Sequence, residues 1–263
     1  MQTPNMVFIA GHHRSGTSLL HEILSEHSDI SGLKQTGAPE DEGQHLQSVF
    51  EAAKECGGPG KYIFNPKAYM DDAHPLCNDR NSEKIWLEWQ RFYEADAEFY
   101  IEKSPPNLIR TRFFQKLFPA SIFIVILRHP LAVGYATQKW SHTSIRSLLE
   151  HTMRGYEIFA SDLLKLNKVY VLRYEDFVQN PQLEIDKLYR FIGVKSRKIT
   201  HNVLPTVNDK YFKMWERNRG NWLQRLVFPI STLWEQRANR FGYSLIEYRK
   251  MLEANILGQH VRN

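Results

Sequence analysis

The chain has 263 residues, 42% hydrophobic and 24% charged, with a formal net charge of +5 and a pI near 9.1; this is ordinary globular composition, long enough for a real core without disulfide or metal staples. Cys56 and Cys77 form no CxxC pair, so a disulfide framework and a zinc site are set aside in favour of reduced thiols in a cytoplasmic protein. No run approaches the ~20 apolar residues of a membrane span, and no signal-peptide pattern opens the chain.

In chain order, "MVFIAGHHRSGTSLLHEIL" (residues 6–24) predicts an apolar strand, a glycine-bounded loop and a helix over Gly16–Glu26. Gly11, four residues, then Gly16-Thr17-Ser18 outline a phosphate loop, with Thr17 where nucleotide-hydrolysing enzymes carry lysine. A helix N-terminus presents unpaired N–H groups and about half a positive charge. Ser15, Thr17 and Ser18 add hydroxyls, and Arg14 or His13 adds charge; a plain glycine-rich turn is the alternative.

"DISGL" reads as a second strand, followed by "QTGAPEDEGQHLQ", where Glu40, Asp41, Glu42 and His45 precede or open a helix predicted over Glu42–Ala53. Acids there suit a helix dipole; equally, one of them serves as a general base if burial raises its pKa. Residues 57–81 are irregular, which suits either a functional loop or a surface excursion. In the helix predicted over Glu83–Glu94, the three-residue spacing of Trp86, Trp89 and Phe92 keeps them near one face, for the core or an acceptor pocket.

"EFYIEK" is a strand ending at Lys103, before a helix over Pro106–Leu117, which sets the lysine at the sheet edge where α/β ligands gather. "SIFIVILR" is nearly all apolar, as a strand covered on both faces must be, and ends in Arg128-His129-Pro130. An arginine there repels a metal and attracts a phosphate, where a magnesium-dependent enzyme carries an acid. Helices over Pro130–Trp140 and Ile145–Leu166, a strand "KVYVLRYE" and a helix over Pro181–Ile192 follow. Residues 195–225 hold eight Lys/Arg against two Asp/Glu. Without repeat or linker, residues 1–263 read as one α/β domain, a parallel sheet flanked by helices in a three-layer, P-loop NTPase-like sandwich.

In order and spacing, "GHHRSGTSLL", "EKSPPNLIR", "IVILRHPLAV" and "VLRYEDFVQNP" resemble sulfotransferases that use 3′-phosphoadenosine 5′-phosphosulfate (PAPS), most of all the branch with tyrosylprotein and many bacterial enzymes. The resemblance spans roughly residues 6–245 and is weak over 45–95, the variable acceptor side. It implies that His13, Arg14, Ser15, Gly16, Thr17 and Ser18 cradle the 5′-phosphosulfate and that Arg128 takes the 3′-phosphate. The family's serine eight residues on is Ala136 here, with Thr137 beside it as a substitute. It also implies that Tyr174 contacts the nucleotide, although an aromatic ending a core strand explains it too, and that Thr206, Asn208 and Lys210 lie on a late basic segment closing over the nucleotide. Lys103 is expected to stabilise the transferring sulfonate, and a carboxylate, Glu42 ahead of Glu40, to act as base; Asp41 and His45 remain open.

The reaction so implied moves a sulfonate in line to a hydroxyl or amine, releases 3′-phosphoadenosine 5′-phosphate (PAP) and needs no metal. A peptide, a carbohydrate, a lipid or a small metabolite remains open as acceptor, and no nucleic-acid partner is expected, since no recognition motif accompanies the basic stretch. His12, His21 and His27 form no metal-ligand spacing with any cysteine. Two alternatives stand: a P-loop small-molecule kinase, opposed by Thr17 and Arg128, and a protein that binds PAPS or PAP without catalysis, which Ala136 keeps open.

Overall fold

The five apolar runs become five parallel strands. In this computed structural model, which describes residues 4–220 and 230–262, they are β1 (Met6–Ala10), β2 (Ile30–Gly32), β3 (Phe99–Lys103), β4 (Ile122–Leu127) and β5 (Lys168–Arg173). A sixth, β6 (Gly258–Val261), pairs antiparallel with β5, so the sheet is mixed rather than all parallel, in the order β2-β3-β1-β4-β5-β6. The sequence of that edge strand, "GQHV", carries little apolar signal: its residues are half-buried or exposed in alternation.

Among the described residues the α-helices are α1 (Thr17–Leu24), α2 (Asp79–Trp89), α3 (Thr111–Leu117), α4 (Pro130–Ser141), α5 (Ile145–Leu163), α6 (Tyr174–Gln179), α7 (Pro181–Ile192), α8 (Asp209–Gly220) and α9 (Thr232–Asn239). Alternation along the central strands separates two cores. Phe8, Phe123, Val125 and Leu127 pack with Trp89, Phe114, Leu131, Met153 and Tyr156 on one face. Val7, Ile9, Ile124, Ile126 and Leu172 pack with Leu20, Ile23, Phe177 and Leu188 on the other. The result is the expected three-layer sandwich. No helix among the described residues is long and apolar enough to cross a membrane.

Several local expectations are corrected. The helix predicted over Glu42–Ala53 does not form; two 3₁₀ turns, Pro39–Asp41 and Gly43–His45, stand at its start. Glu40 and Asp41 adopt φ of 54° and 49°, and side chains from β3 and the turn after it take the N–H groups of Gly43 and Gln44 that a helix would use. Asn78 caps α2 earlier than expected, by accepting from the Asn81 N–H, and the helix ends at Trp89. The paired prolines after Lys103 give a 3₁₀ turn, Pro105–Ile109, before α3. The strand "KVYVLRYE" stops at Arg173, and Tyr174 opens α6. The basic segment contains α8, while its residues 221–225 lie outside the described residues.

Register delivers the functional residues to one edge. Ile9 pairs with Lys103 and Ala10 with Val125, so the loop after β1, Lys103 at the end of β3 and Arg128 just past β4 all lie at the C-terminal ends of adjacent strands. Chain connections diverge there, at the crevice between β1 and its neighbours, where open α/β sheets bind ligands.

Candidate active site

The loop after β1 is shaped by two left-handed residues. Arg14 has φ 68° and Gly16 φ 104°, and a Cβ on Gly16 would lie 2.6 Å from the Tyr174 ring; glycine alone fits. The Ser15 N–H closes the turn onto the His12 carbonyl at 3.0 Å. Ser15 is fully buried, and its hydroxyl has no hydrogen-bond partner among the described residues. With the unpaired N–H groups of the first turn of α1, it makes a neutral cradle for an anion. His12 Nε2 meets the Thr152 carbonyl at 2.9 Å, tying the loop to α5, and burial pushes its pKa down to about 4. His13 is lowered to about 3 by burial and then by nearby basic groups, Lys103 among them, so it enters near neutral pH as an uncharged imidazole. Arg14 is exposed, with its guanidinium 4.8 Å from the Trp140 ring centre.

Arg128 is held from several sides. Its guanidinium lies 4.1 Å from the Tyr174 ring centre, Nη1 donates to the Arg14 carbonyl at 2.6 Å, and Nε and Nη2 donate to Asn208 Oδ1 at 2.9 and 2.6 Å. The Tyr156 hydroxyl accepts from the Arg128 N–H at 2.9 Å and donates to the Arg128 carbonyl at 2.7 Å, fixing the backbone. Asn208 Nδ2 donates to Glu175 Oε1 at 2.6 Å, which turns the amide oxygen towards the arginine. Glu175 also accepts from the His129 N–H and the Tyr243 hydroxyl. A guanidinium carries five N–H donors; three are engaged among the described residues.

Three further residues expected at the nucleotide stand apart from the Arg128 hydrogen-bond network. Thr206 and Lys210 are exposed, the latter with its ammonium 4.9 Å from the Tyr211 ring centre. Thr137 makes no hydrogen bond to Arg128; it lines a small cavity with His12, His13, His151 and Gly60. Its buried hydroxyl has no partner among the described residues.

Lys103 and Glu42 form the third part of the site. The lysine is 1% exposed, and its Nζ donates to the Glu40 carbonyl at 2.8 Å and to Glu42 Oε1 at 3.4 Å. Glu42 is 6% exposed, accepts from Gln44 Nε2 and lies 3.9 Å from His45 Nε2. Burial raises its carboxyl pKa, opposed by the Lys103 charge, the balance a general base needs. Glu40 joins through its backbone while its side chain is exposed, and Asp41 is occupied in accepting from Thr36. An open cavity of about 660 Å³, lined by residues including Gln44, His45, Ser48, Phe50 and Lys54, lies alongside. Sequence reasoning missed Tyr156, Glu175 and Glu102. The first two act from helices distant in sequence, and Glu102 reads as a plain surface partner for Lys103, although neighbours on a strand face opposite ways.

A mixed sheet with a glycine-shaped loop, a buried arginine and a carboxylate–lysine pair at one edge defines a P-loop-like α/β protein. A profile described as the Sulfotransferase family matches residues 4–198, and the chain belongs to that family. It is 24% identical over 243 aligned residues to the omega-hydroxy-beta-dihydromenaquinone-9 sulfotransferase Stf3 of Mycobacterium tuberculosis, covering 72% of this chain and 62% of that one. It is 22% identical over 200 residues to protein-tyrosine sulfotransferase 2 of Gallus gallus, covering 72% of this chain and 51% of that one. The chain thus spans between half and two thirds of the length of these relatives. Among solved structures, the sulfotransferase domain of the Synechococcus PCC 7002 olefin synthase shares the fold with TM-score 0.54 and 20% identity, covering 93% of this chain and 97% of that one. Sulfotransferase STF9 of Mycobacterium avium does so with TM-score 0.56 and 11% identity, covering 97% and 79%.

Proposed function

We propose that this sulfotransferase uses PAPS as donor and transfers its sulfonate to a hydroxyl acceptor, with Glu42 as general base and Lys103 as the stabilising cation. The observation that carries the reading is the buried Glu42–Lys103 pair at the same sheet edge as the anion-cradling loop and Arg128. The residues fit the donor: Ser15 has a buried hydroxyl without partner, Gly16 leaves room that a side chain would close, and Arg128 keeps two N–H donors. Ser15 to Ser18 would hold the phosphosulfate, Arg128 over Tyr174 the 3′-phosphate, and Asn208 would keep the arginine in place. When bound, PAPS supplies the sulfonate group.

Glu42 takes the proton of the acceptor hydroxyl. Lys103 presents its ammonium where negative charge develops, usually among the larger catalytic contributions. Both groups are almost wholly buried, which limits the water around the pair. Both relatives are named for hydroxyl-bearing substrates, an omega-hydroxy compound and protein tyrosine, which favours oxygen over nitrogen as acceptor. Both cysteines are free, which suits the reducing cytoplasm as its place of action.

Labelled PAPS with a phenol, a sugar and a long-chain alcohol as acceptors tests the reading. Glu42→Gln and Lys103→Ala are each expected to lower transfer by about 10²–10³-fold while PAP still binds. Transfer at the wild-type rate by Glu42→Gln would remove the carboxylate from the mechanism. PAP binding with no transfer to any acceptor by the wild-type protein would favour the binding-only alternative.

A further inference from the structure

The structure assigns Glu102 as the positioning residue for the base: from β3 it fixes the backbone behind Glu42, so that the Glu42 carboxylate meets Lys103. This rests on the reading of Glu42 as general base. Glu102 is fully buried and accepts three hydrogen bonds, from the Gly43 N–H at 2.9 Å, from the Ser104 hydroxyl and from Asn107 Nδ2 at 2.5 Å. Ser104 Oγ in turn accepts from the Gln44 N–H at 3.2 Å. Two successive peptide N–H groups after Glu42 therefore end on the Glu102–Ser104 pair. The Gly43 carbonyl is taken on the other side by the Trp89 indole N–H at 2.9 Å.

The Gln44 side chain, held by this backbone, donates to the Glu42 carboxylate and accepts from the Ala53 N–H at 2.8 Å. Gly43 is part of the same device: a Cβ there would lie 2.6 Å from Glu102 Cγ, so the backbone comes closer to Glu102 than any side chain at 43 would allow. One strand thus grips the base twice, Lys103 at its carboxylate and Glu102 at the peptide behind it.

A group needed only to fill space would not be an ionisable one, because burying a carboxylate is costly unless its acceptor capacity is used. Burial pushes the Glu102 carboxyl up to about 7, against the hydrogen bonds it receives. Glu102→Gln keeps the shape but sets an amide N–H₂ against the donors of Ser104, Gly43 or Asn107.

The test is a double-mutant cycle of Glu42→Gln and Glu102→Gln, read by PAP release from PAPS with water or a hydroxyl acceptor, by PAP affinity and by hydrogen exchange of the Gly43 and Gln44 amides. Glu102→Gln is expected to lower kcat on the order of 10- to 100-fold, as misplacement of a catalytic group by ~1 Å does. PAP affinity should stay within about twofold, and exchange at 43 and 44 should accelerate. In the Glu42→Gln background the second substitution should add almost nothing to the residual rate, since residues acting as a unit are not additive. Multiplying losses, or PAP affinity falling in step with kcat, would mean a general structural role and overturn the assignment. So would unchanged kcat with unchanged exchange. Should Glu102→Gln fail to fold, Ser104→Ala removes only the Gln44 arm and must show the same non-additive loss, smaller in size. An active Glu42→Gln enzyme would instead overturn the reading of the base; an inactive one with Glu102→Gln fully active overturns the positioning role alone.

Discussion

Glu42 and Lys103 sit as a buried ion pair, and the direction of the glutamate's pKa has a kinetic consequence. Burial raises the carboxyl and the lysine opposes that rise. A base must be ionised, so kcat should fall as pH drops through a limb above the ordinary glutamate value of about 4.3. Replacing Lys103 by methionine removes the opposing charge and should move the limb to higher pH. A pH–rate profile of both proteins checks this, and a limb that moves down or stays would refute the coupling. Lys103 and the acid cluster were legible in "EKSPPN" and "PEDE". What separated Glu42 from Glu40 and Asp41 was burial, which only the fold decides: Glu40 has φ 54° and points its carbonyl, not its carboxylate, at Lys103. Thr137 follows Ala136, but one residue along a helix turns a side chain by about 100°, and Thr137 lines the cavity with His12, His13 and His151.

At the scale of elements, the strand–loop–helix unit of β1 and α1 depends on Gly16. Gly16→Ala faces a left-handed backbone, costing about 1–2 kcal/mol, and the Tyr174 ring at 2.6 Å. It is expected to lower the thermal midpoint and to weaken PAP binding together, because the loop and the platform under Arg128 are displaced at once. Melting curves and a PAP titration read both, and a variant that melts and binds like wild type would show that the contact does not matter. β1, β4 and α1 were readable because their signals are local: continuous apolar runs and a glycine-bounded turn. The segment after β2 was not, since the N–H groups of Gly43 and Gln44 are captured by Glu102 and Ser104, about sixty residues away. β6 was missed for the complementary reason, a short edge strand whose pairing with β5 leaves little trace in its composition.

Over the whole molecule, two cores on opposite faces of the sheet enclose histidines held neutral. Burial pushes His12 down to about 4 and His129 to about 3. His129 accepts the Leu131 N–H at Nδ1 and faces the Ser244 carbonyl through Nε2 at 3.1 Å, as a neutral Nε2–H imidazole does. In the unfolded chain both titrate near 6.5. The stability they confer is therefore complete above pH 6.5 and is lost as pH falls towards the folded values, by about 1.4 kcal/mol per pH unit for each. The melting temperature should drop between pH 7 and 5, and His129→Gln should flatten that slope; a flat wild-type profile would contradict it. The central claim, a PAPS-type donor site on this fold, is tested most directly by calorimetric titration with PAP beside magnesium-ATP. PAP is expected to bind without magnesium, and Arg128→Ala to weaken that binding about 10- to 100-fold, the scale of charge-assisted hydrogen bonds lost. Binding of magnesium-ATP alone, with PAP excluded, would contradict it.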